Sequence, residues 1–363
     1  MTVSADLPED VQILRNALTT LHNSTQSYTT LHLSNCGTAM RFLTAYAAQL
    51  ENRVTILDGV ERMHHRPIGQ LVDALREIGA DIEYLGEEGF PPLRIKGCIL
   101  NKHREVTITN PQSTQFISAL LLIGVNVQTN STSPYIYITQ EVIKQYQLSP
   151  FSFHLTVEKD WSAAAFWYEY VALYGGEITL PGLSCDSLQG DKVVADIFAH
   201  LGVHTIYTDE GITIKKDNEF LIQQHKQLNP TTLRGNQLHA APGAKANNPC
   251  RSRELIRAEV VDIVVDNTLS LDFANCPDLY PAIALACERL GIELHATGVE
   301  SLPLKESDRL QAVAEHRTDA DHRMAMALLI AGYEVDDTAC ISKSYPQFME
   351  HFHHLQESNC SNV

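Results

Sequence analysis

Three segments of the chain repeat one local design, and that design limits the folds open to it. They are "LVDALREIGADIEYL" (71–85), "VVADIFAHLGVHTIYT" (193–208) and "AIALACERLGIELHAT" (282–297). In each, apolar residues recur at the i, i+3/i+4, i+7 spacing of an amphipathic helix. Each helix stops at a glycine, Gly79, Gly202 or Gly291, and an alternating strand follows directly. A helix joined so tightly to a strand must lay its apolar face on the sheet. Layers of the α/β or α+β class are therefore predicted, with internal repetition.

The remaining pattern predicts further strands at 54–58, 106–109, 135–139, 177–180, 212–215 and 262–266. It predicts further helices at 8–18, 40–50, 115–123, 162–173 and 345–356. Residues 228–253, "LNPTTLRGNQLHAAPGAKANNPCRSR", carry Asn, Pro, Gly and Ala without a period, so a loop or disordered insert is expected there. A chain of 363 residues is long enough for two domains, placed at 1–188 and 189–363 with the insert in the second.

The formal net charge is −17, which argues against nucleic acid or an anionic membrane as partner. No apolar run approaches the ~18 residues of a membrane span. The start, "MTVSADLPEDVQIL", lacks a basic region followed by an apolar stretch, so no signal peptide and a cytoplasmic location are expected. The eight cysteines form no C-x-x-C pair and have no histidine at zinc spacing, which reads as reduced thiols and no metal site. His64–His65 and "HFHH" (351–354) have no acid or cysteine at ligand spacing and read as solvated. A strongly acidic protein can still bind small anions where its 27 Lys and Arg residues gather, so their placement matters most.

Cations stand where helices begin, although a helix start is already positive. Arg41 follows the turn Asn35–Thr38, and Arg66 directly precedes Pro67, a favoured first helical residue. Arg309 follows Ser307 and Asp308 and lies near Lys305; His322 and Arg323 follow Asp321, the predicted N-cap of "HRMAMALLIAG". A further helix start holds Ser113, Thr114 and Gln115, uncharged but rich in donors. One such arginine needs no ligand, since it can pair with an acid or face water. Four together set forks of N–H donors beside unsatisfied backbone N–H groups, which suits phosphate or carboxylate. A polyanion cleft at helix ends is predicted. Glu306 and Asp278 accompany the cations; each is open to a capping or first-turn role or to proton transfer.

The motifs "NCGTAMRFLTA", "ERMHHRPIGQLVDALREIGADIEYLGEEGFPPL", "STQFISALLL", "VEKDWSAAAFW", "DSLQGDKVVADIF", "LPLKESDRL", "DADHRMAMALL" and "SKSYPQF" occur in that order. Together they closely resemble the 5-enolpyruvylshikimate-3-phosphate synthase family, over most of residues 8 to 356. "VEKDWSAAAFW" is similar to the bacteroidete branch. The resemblance implies an inside-out α/β barrel of two similar domains, each of repeated βαβαββ units. It implies transfer of the enolpyruvyl group of phosphoenolpyruvate to the 5-hydroxyl of shikimate 3-phosphate, by a monomer, with no metal or organic cofactor.

Carried over by motif, the resemblance gives Gly37, Arg66, Arg309, Arg323 and Lys343 to phosphoenolpyruvate. It gives Ser113, Thr114, Gln115, Thr132, Tyr135, Asp278 and Lys305 to shikimate 3-phosphate. Glu306 and Asp278 are the expected catalytic carboxylates, and Arg41 a supporting residue. The family's Gly-Ser-Lys-Ser-x-Ser-Asn-Arg-like segment would precede Met1. A relative that binds a phosphorylated ligand or partner without catalysis is the alternative. Transfer to UDP-N-acetylglucosamine is disfavoured by "KESDR" and "DHRMAM", and Cys36 is expected to be a packing thiol.

Overall fold

A computed structural model describes residues 7–24, 26–148, 157–216 and 267–360. The chain divides into two compact units, Met1–His154 with Gly298–Val363, and Leu155–Thr297. The chain thus passes between units twice, near 154 and 297, where the sequence had suggested a single boundary at 188/189. Polar contacts tie the last segment to the N-terminal half: Arg62 donates to the carbonyls of Pro303, Lys305 and Glu306, and Lys343 Nζ to that of Asn35.

The first unit begins with helix α1 (Glu9–Asn23) and then runs β1 (Tyr28–His32), α2 (Gly37–Ala48), β2 (Val54–Asp58), α3 (Gly69–Glu77), β3 (Asp81–Tyr84) and β4 (Leu93–Lys96). The sheet order is β1-β2-β4-β3. Strands β1 and β2 are parallel with His32 opposite Asp58, and β4 runs antiparallel to both β2 and β3. This is one complete βαβαββ unit. A shorter β5 (Val106–Thr107), α4 (Gln115–Leu122) and β6 (Val127–Gln128) follow, with β5 and β6 parallel.

The second unit holds α6 (Trp161–Tyr174), β7 (Glu177–Pro181), α7 (Val194–Ala199), β8 (Val203–Tyr207), β9 (Gly211–Lys216), β10 (Thr268–Asp272), α8 (Tyr280–Leu290) and β11 (Glu293–Thr297). Its sheet β7-β9-β8 has the pairing of β2-β4-β3, antiparallel throughout, and β10 and β11 pair in parallel as β1 and β2 do. The glycine-stopped segments therefore divide into two kinds. Helix α3 with β3 and α7 with β8 hold equivalent places, whereas α8 leads into the parallel partner β11. Gly79, Gly202 and Gly291 all have positive φ, at 100°, 78° and 68°, which explains the shared residue.

Residues 135–139, expected as a strand, lie in helix α5 (Pro134–Leu148). Alternation in "YIYIT" is overridden because Pro134 suits a first helical turn and the helix formers of "QEVIKQYQL" continue the segment. Packing on α4 completes the choice: Ser118 Oγ and Thr139 Oγ1 lie 2.8 Å apart. The expected helix at Pro67 begins instead at Gly69, and Arg66 is extended (φ −96°, ψ 117°) as a residue before proline should be. The strand expected at 262–266 and the insert at 228–253 lie outside the described residues. Of the remaining elements, α9 (Arg309–Ala314), α10 (His322–Ala331) and α11 (Phe348–Cys360) belong to the first unit. No described helix is long and apolar enough to cross a membrane.

Candidate active site

The carboxyl ends of β1 and β2 lie side by side, and two loops leave the sheet there. Ser34, at φ 52°, turns the first; its carbonyl accepts from Val60 N (3.2 Å), and a Cβ on Gly59 would meet it at 2.5 Å. That close approach brings Asn35 next to the segment Glu61–Arg66. Ligand sites of open α/β sheets form at this edge.

Three side chains meet at Glu306. Lys343 Nζ lies 3.2 Å and Arg66 Nη1 3.5 Å from Glu306 Oε1, and Arg309 Nη2 lies 3.0 Å from Oε2. The side chains are 10%, 6% and 1% exposed, and that of Glu306 12%. Although burial alone would raise its pKa, Arg66, Lys343 and Arg309 hold the Glu306 carboxyl well below the usual range. Arg309 is held from behind by Asp321, whose side chain is fully buried: Nε lies 2.8 Å from Oδ2, and Ser307 Oγ donates to the same oxygen at 3.1 Å. Oδ1 of Asp321 accepts from Arg323 N at 2.9 Å and caps α10. Three cations thus face two carboxylates within one unit. Arg66 Nε has no hydrogen-bond partner among the described residues.

His322 resolves the apparent excess of charge at the start of α10. Burial pushes its pKa down to about 3, so the imidazole is neutral and adds no cation there. Arg323 is half-buried, and its charge further disfavours protonation of His322. Gly37 sits against the arginines, where an added Cβ would fall 2.5 Å from Arg41 Nη1 and 2.7 Å from Arg66 Cζ and Nη2. Arg41 is buried over the Phe116 ring and donates to Gln115 Oε1 at 2.8 Å, while Gln115 Nε2 donates to Thr38 Oγ1 at 2.9 Å. Burial, then the charge of Arg66, lowers the Arg41 pKa to about 9.

Of the other candidates, Ser113 and Thr114 are half-buried ahead of α4, and Ser113 Oγ accepts from Gln115 N at 3.4 Å. Thr132 is exposed just before α5, and Tyr135 is in its first turn. Asp278 is half-buried in the other unit, in the turn Pro277–Leu279. Leu279, not Asp278, occupies the N-cap of α8. Lys305 is half-buried beside Glu306. His64 differs from expectation: its Nε2 lies 2.8 Å from Asp58 Oδ1, an acid six residues upstream that local spacing had not suggested. Among the described residues no group of three or more His, Cys, Asp or Glu is placed for a metal ion.

Three further contributors were given no part in the site by the sequence: Arg62 and Asp10 were not singled out, and Cys36 was expected only to pack. Arg62 donates to the carbonyls of Pro303, Lys305 and Glu306. Its position four residues before Arg66 in "ERMHHR" was the available signal. Cys36 is the N-cap of α2, its Sγ accepting from Ala39 N at 3.4 Å; burial, then the Asp10 charge, pushes its thiol up to about 12. Asp10, near the start of α1, has Oδ1 buried without a partner among the described residues. Burial raises its pKa against the charges of Lys343 and Arg66. A cavity of about 550 Å³ opens beside the cluster, lined by Glu306, Lys343, Arg62, Asn35, Ser34 and Cys340 among others.

The family model of EPSP synthase (3-phosphoshikimate 1-carboxyvinyltransferase) matches residues 7–149, 122–244 and 313–352. The chain belongs to that family. A 3-phosphoshikimate 1-carboxyvinyltransferase of Bacteroides fragilis is 33% identical over 403 residues, which span 94% of this chain and 85% of the relative. One from Colwellia psychrerythraea is 30% identical over 351 residues, spanning 88% and 78%. Among solved structures, EPSP synthase from Acinetobacter baumannii superposes with a TM-score of 0.54 at 19% identity, over 89% of this chain and 78% of that one. The fold is the two-domain α/β fold of these enzymes, and the family is one of enolpyruvyl transferases.

Proposed function

We propose that the chain transfers the enolpyruvyl group of phosphoenolpyruvate to the 5-hydroxyl of shikimate 3-phosphate and releases phosphate. The observation that carries this reading is the convergence of Arg66, Arg309 and Lys343 on one carboxylate. Cations drawn from three separate chain segments are within reach of one small anion. The unpartnered Arg66 Nε adds a buried donor that a phosphate or carboxylate oxygen would satisfy.

The chemistry asks for a proton to reach C3 of phosphoenolpyruvate as the 5-hydroxyl oxygen bonds to C2. The same methyl group then loses a proton as phosphate departs. Glu306 is proposed to move that proton. Held ionised by three cations in the free protein, it gains proton affinity when an anionic substrate shares those cations, which fits an acid–base role. Arg66, Arg309, Arg323 and Lys343 are proposed to hold phosphoenolpyruvate and offset charge on the departing phosphate, with Gly37 leaving room for close approach. Ser113, Thr114, Gln115, Thr132, Tyr135, Lys305 and Asp278 are proposed to hold shikimate 3-phosphate, Asp278 also assisting at the hydroxyl. The protein is proposed to act as a cytoplasmic monomer.

Phosphate release by the purified chain with both substrates tests the reading. Release that needs both compounds supports it. Binding of shikimate 3-phosphate without release would favour the non-catalytic relative instead.

A further inference from the structure

One short segment, Glu61–Arg66, holds Glu306 at both ends. Arg66 Nη1 meets the carboxylate at 3.5 Å, while Arg62 takes the main chain. Arg62 Nη2 donates to the carbonyls of Pro303 and Lys305, each at 2.9 Å, and Nε to those of Glu306 at 3.1 Å and Lys305 at 3.3 Å. These carbonyls belong to the turn Leu302–Leu304 and the residues directly after it, ahead of the Asp308 cap of α9. The single 3₁₀ turn there is closed by long backbone bonds, Leu304 N to Ser301 O at 3.2 Å and Lys305 N to Leu302 O at 3.3 Å, and the residues between it and α9 lie in no helix or strand. A planar fork that spans three carbonyls supplies the missing constraint, and a point charge on a flexible stem does not.

We infer that Arg62 is a positioning residue: it fixes the Pro303–Glu306 main chain so that the Glu306 carboxylate is presented between Arg66, Lys343 and Arg309. The inference rests on the proposed role of Glu306 in moving the C3 proton. Arg62 itself touches main chain in this arrangement and is not assigned a step. Its loss lets the turn relax, and a displacement of about 1 Å at a proton-transfer group can cost on the order of a hundredfold in rate.

The test compares the unaltered chain with Arg62→Lys and Arg62→Met, reading kcat, both KM values and deuterium incorporation from D2O into the C3 methylene of phosphoenolpyruvate. Both variants are expected to lose ten- to hundredfold in kcat and in deuterium incorporation together, with KM for phosphoenolpyruvate changed less than about threefold. Full recovery by lysine, or losses confined to KM for both substrates, overturns the inference. A second measurement needs no variant. The Arg62 Nε–H signal in 15N NMR of the unaltered chain should exchange slowly with solvent, and fast exchange overturns the clamp. If the unaltered chain shows no turnover while that signal is slow, the clamp stands and the reading of the reaction is what fails.

Discussion

Arg66 and Lys343, from opposite ends of the sequence, share two acceptors. The Asn35 carbonyl accepts from Arg66 Nη1 at 3.1 Å and from Lys343 Nζ at 3.2 Å, and Glu306 Oε1 accepts from both at 3.5 and 3.2 Å. Two like charges are held side by side because a carbonyl and a carboxylate lie between them. An anionic ligand would extend that arrangement at low cost, since the repulsion is already balanced in the folded chain.

Replacing Glu306 by glutamine should separate binding from chemistry. Turnover, followed by phosphate release, is expected to fall by roughly 10²–10⁴, the usual contribution of a positioned acid–base group. Affinity for phosphoenolpyruvate, measured by calorimetry, should rise, because the internal carboxylate no longer competes for Arg66, Arg309 and Lys343. Unchanged turnover in Glu306→Gln would remove this residue from the mechanism.

Acid should destabilise the first unit. Glu306 and Asp321 have folded pKa values below their ordinary ones, so their contribution is present above the unfolded values of about 4.3 and 3.9. It is lost as pH falls through the folded values. His322 acts in the same direction: its folded pKa of about 3 lies below 6.5, so the unfolded chain binds more protons between those limits. Urea midpoints should therefore fall steadily from pH 7 to pH 3, with a shallower slope below pH ~4.5 in Glu306→Gln. A flat profile would contradict these assignments.

The second unit contains the opposite case. Glu169 is fully buried in α6, neither carboxyl oxygen has a partner among the described residues, and burial raises its pKa well above the ordinary value. The folded form binds the extra proton, so stability falls as pH rises from about 4.3 towards the folded pKa. Glu169→Met should stabilise the protein by about 1–3 kcal/mol at pH 7. The gap between the two proteins should widen from pH 4 to pH 8, and denaturant titration at those two pH values checks both sign and size.

Gly37→Ala should spare the fold and impair anion binding. The new methyl would meet guanidinium atoms of Arg41 and Arg66, not backbone, so the arginines shift and α2 remains. Phosphoenolpyruvate affinity is expected to drop more than tenfold, while the melting temperature stays within a few degrees. Equal affinity in the alanine variant would place the ligand elsewhere.

Much of this was legible from the sequence because it is written locally. Gly79, Gly202 and Gly291 marked helix ends through the backbone geometry they allow, and Asp321 was readable as a cap because a helix start needs a side-chain acceptor. The helix-start argument reached Arg309, the first residue of α9, but Arg66 is extended ahead of a helix that begins at Gly69 and Lys343 ends a short helical turn. What escaped is what only three dimensions bring together. Arg62 finds its partners some two hundred and forty positions away, at Pro303, Lys305 and Glu306. The neutral state of His322 follows from burial that its neighbours in sequence do not reveal. In "YIYIT" a period of two was present, but the following helix formers and the contact with Ser118 decided the outcome.

The first unit is assembled from Met1–His154 and Gly298–Val363, with Leu155–Thr297 inserted between. During translation, Arg66 emerges from the ribosome long before the ammonium of Lys343 exists to join it. A nascent chain halted before that lysine would hold the β1–β2 edge with its arginines and lack the last member of the cluster. The two outer pieces also carry everything needed to build it, so separately expressed fragments cut within the inserted segment should reconstitute the cluster by association.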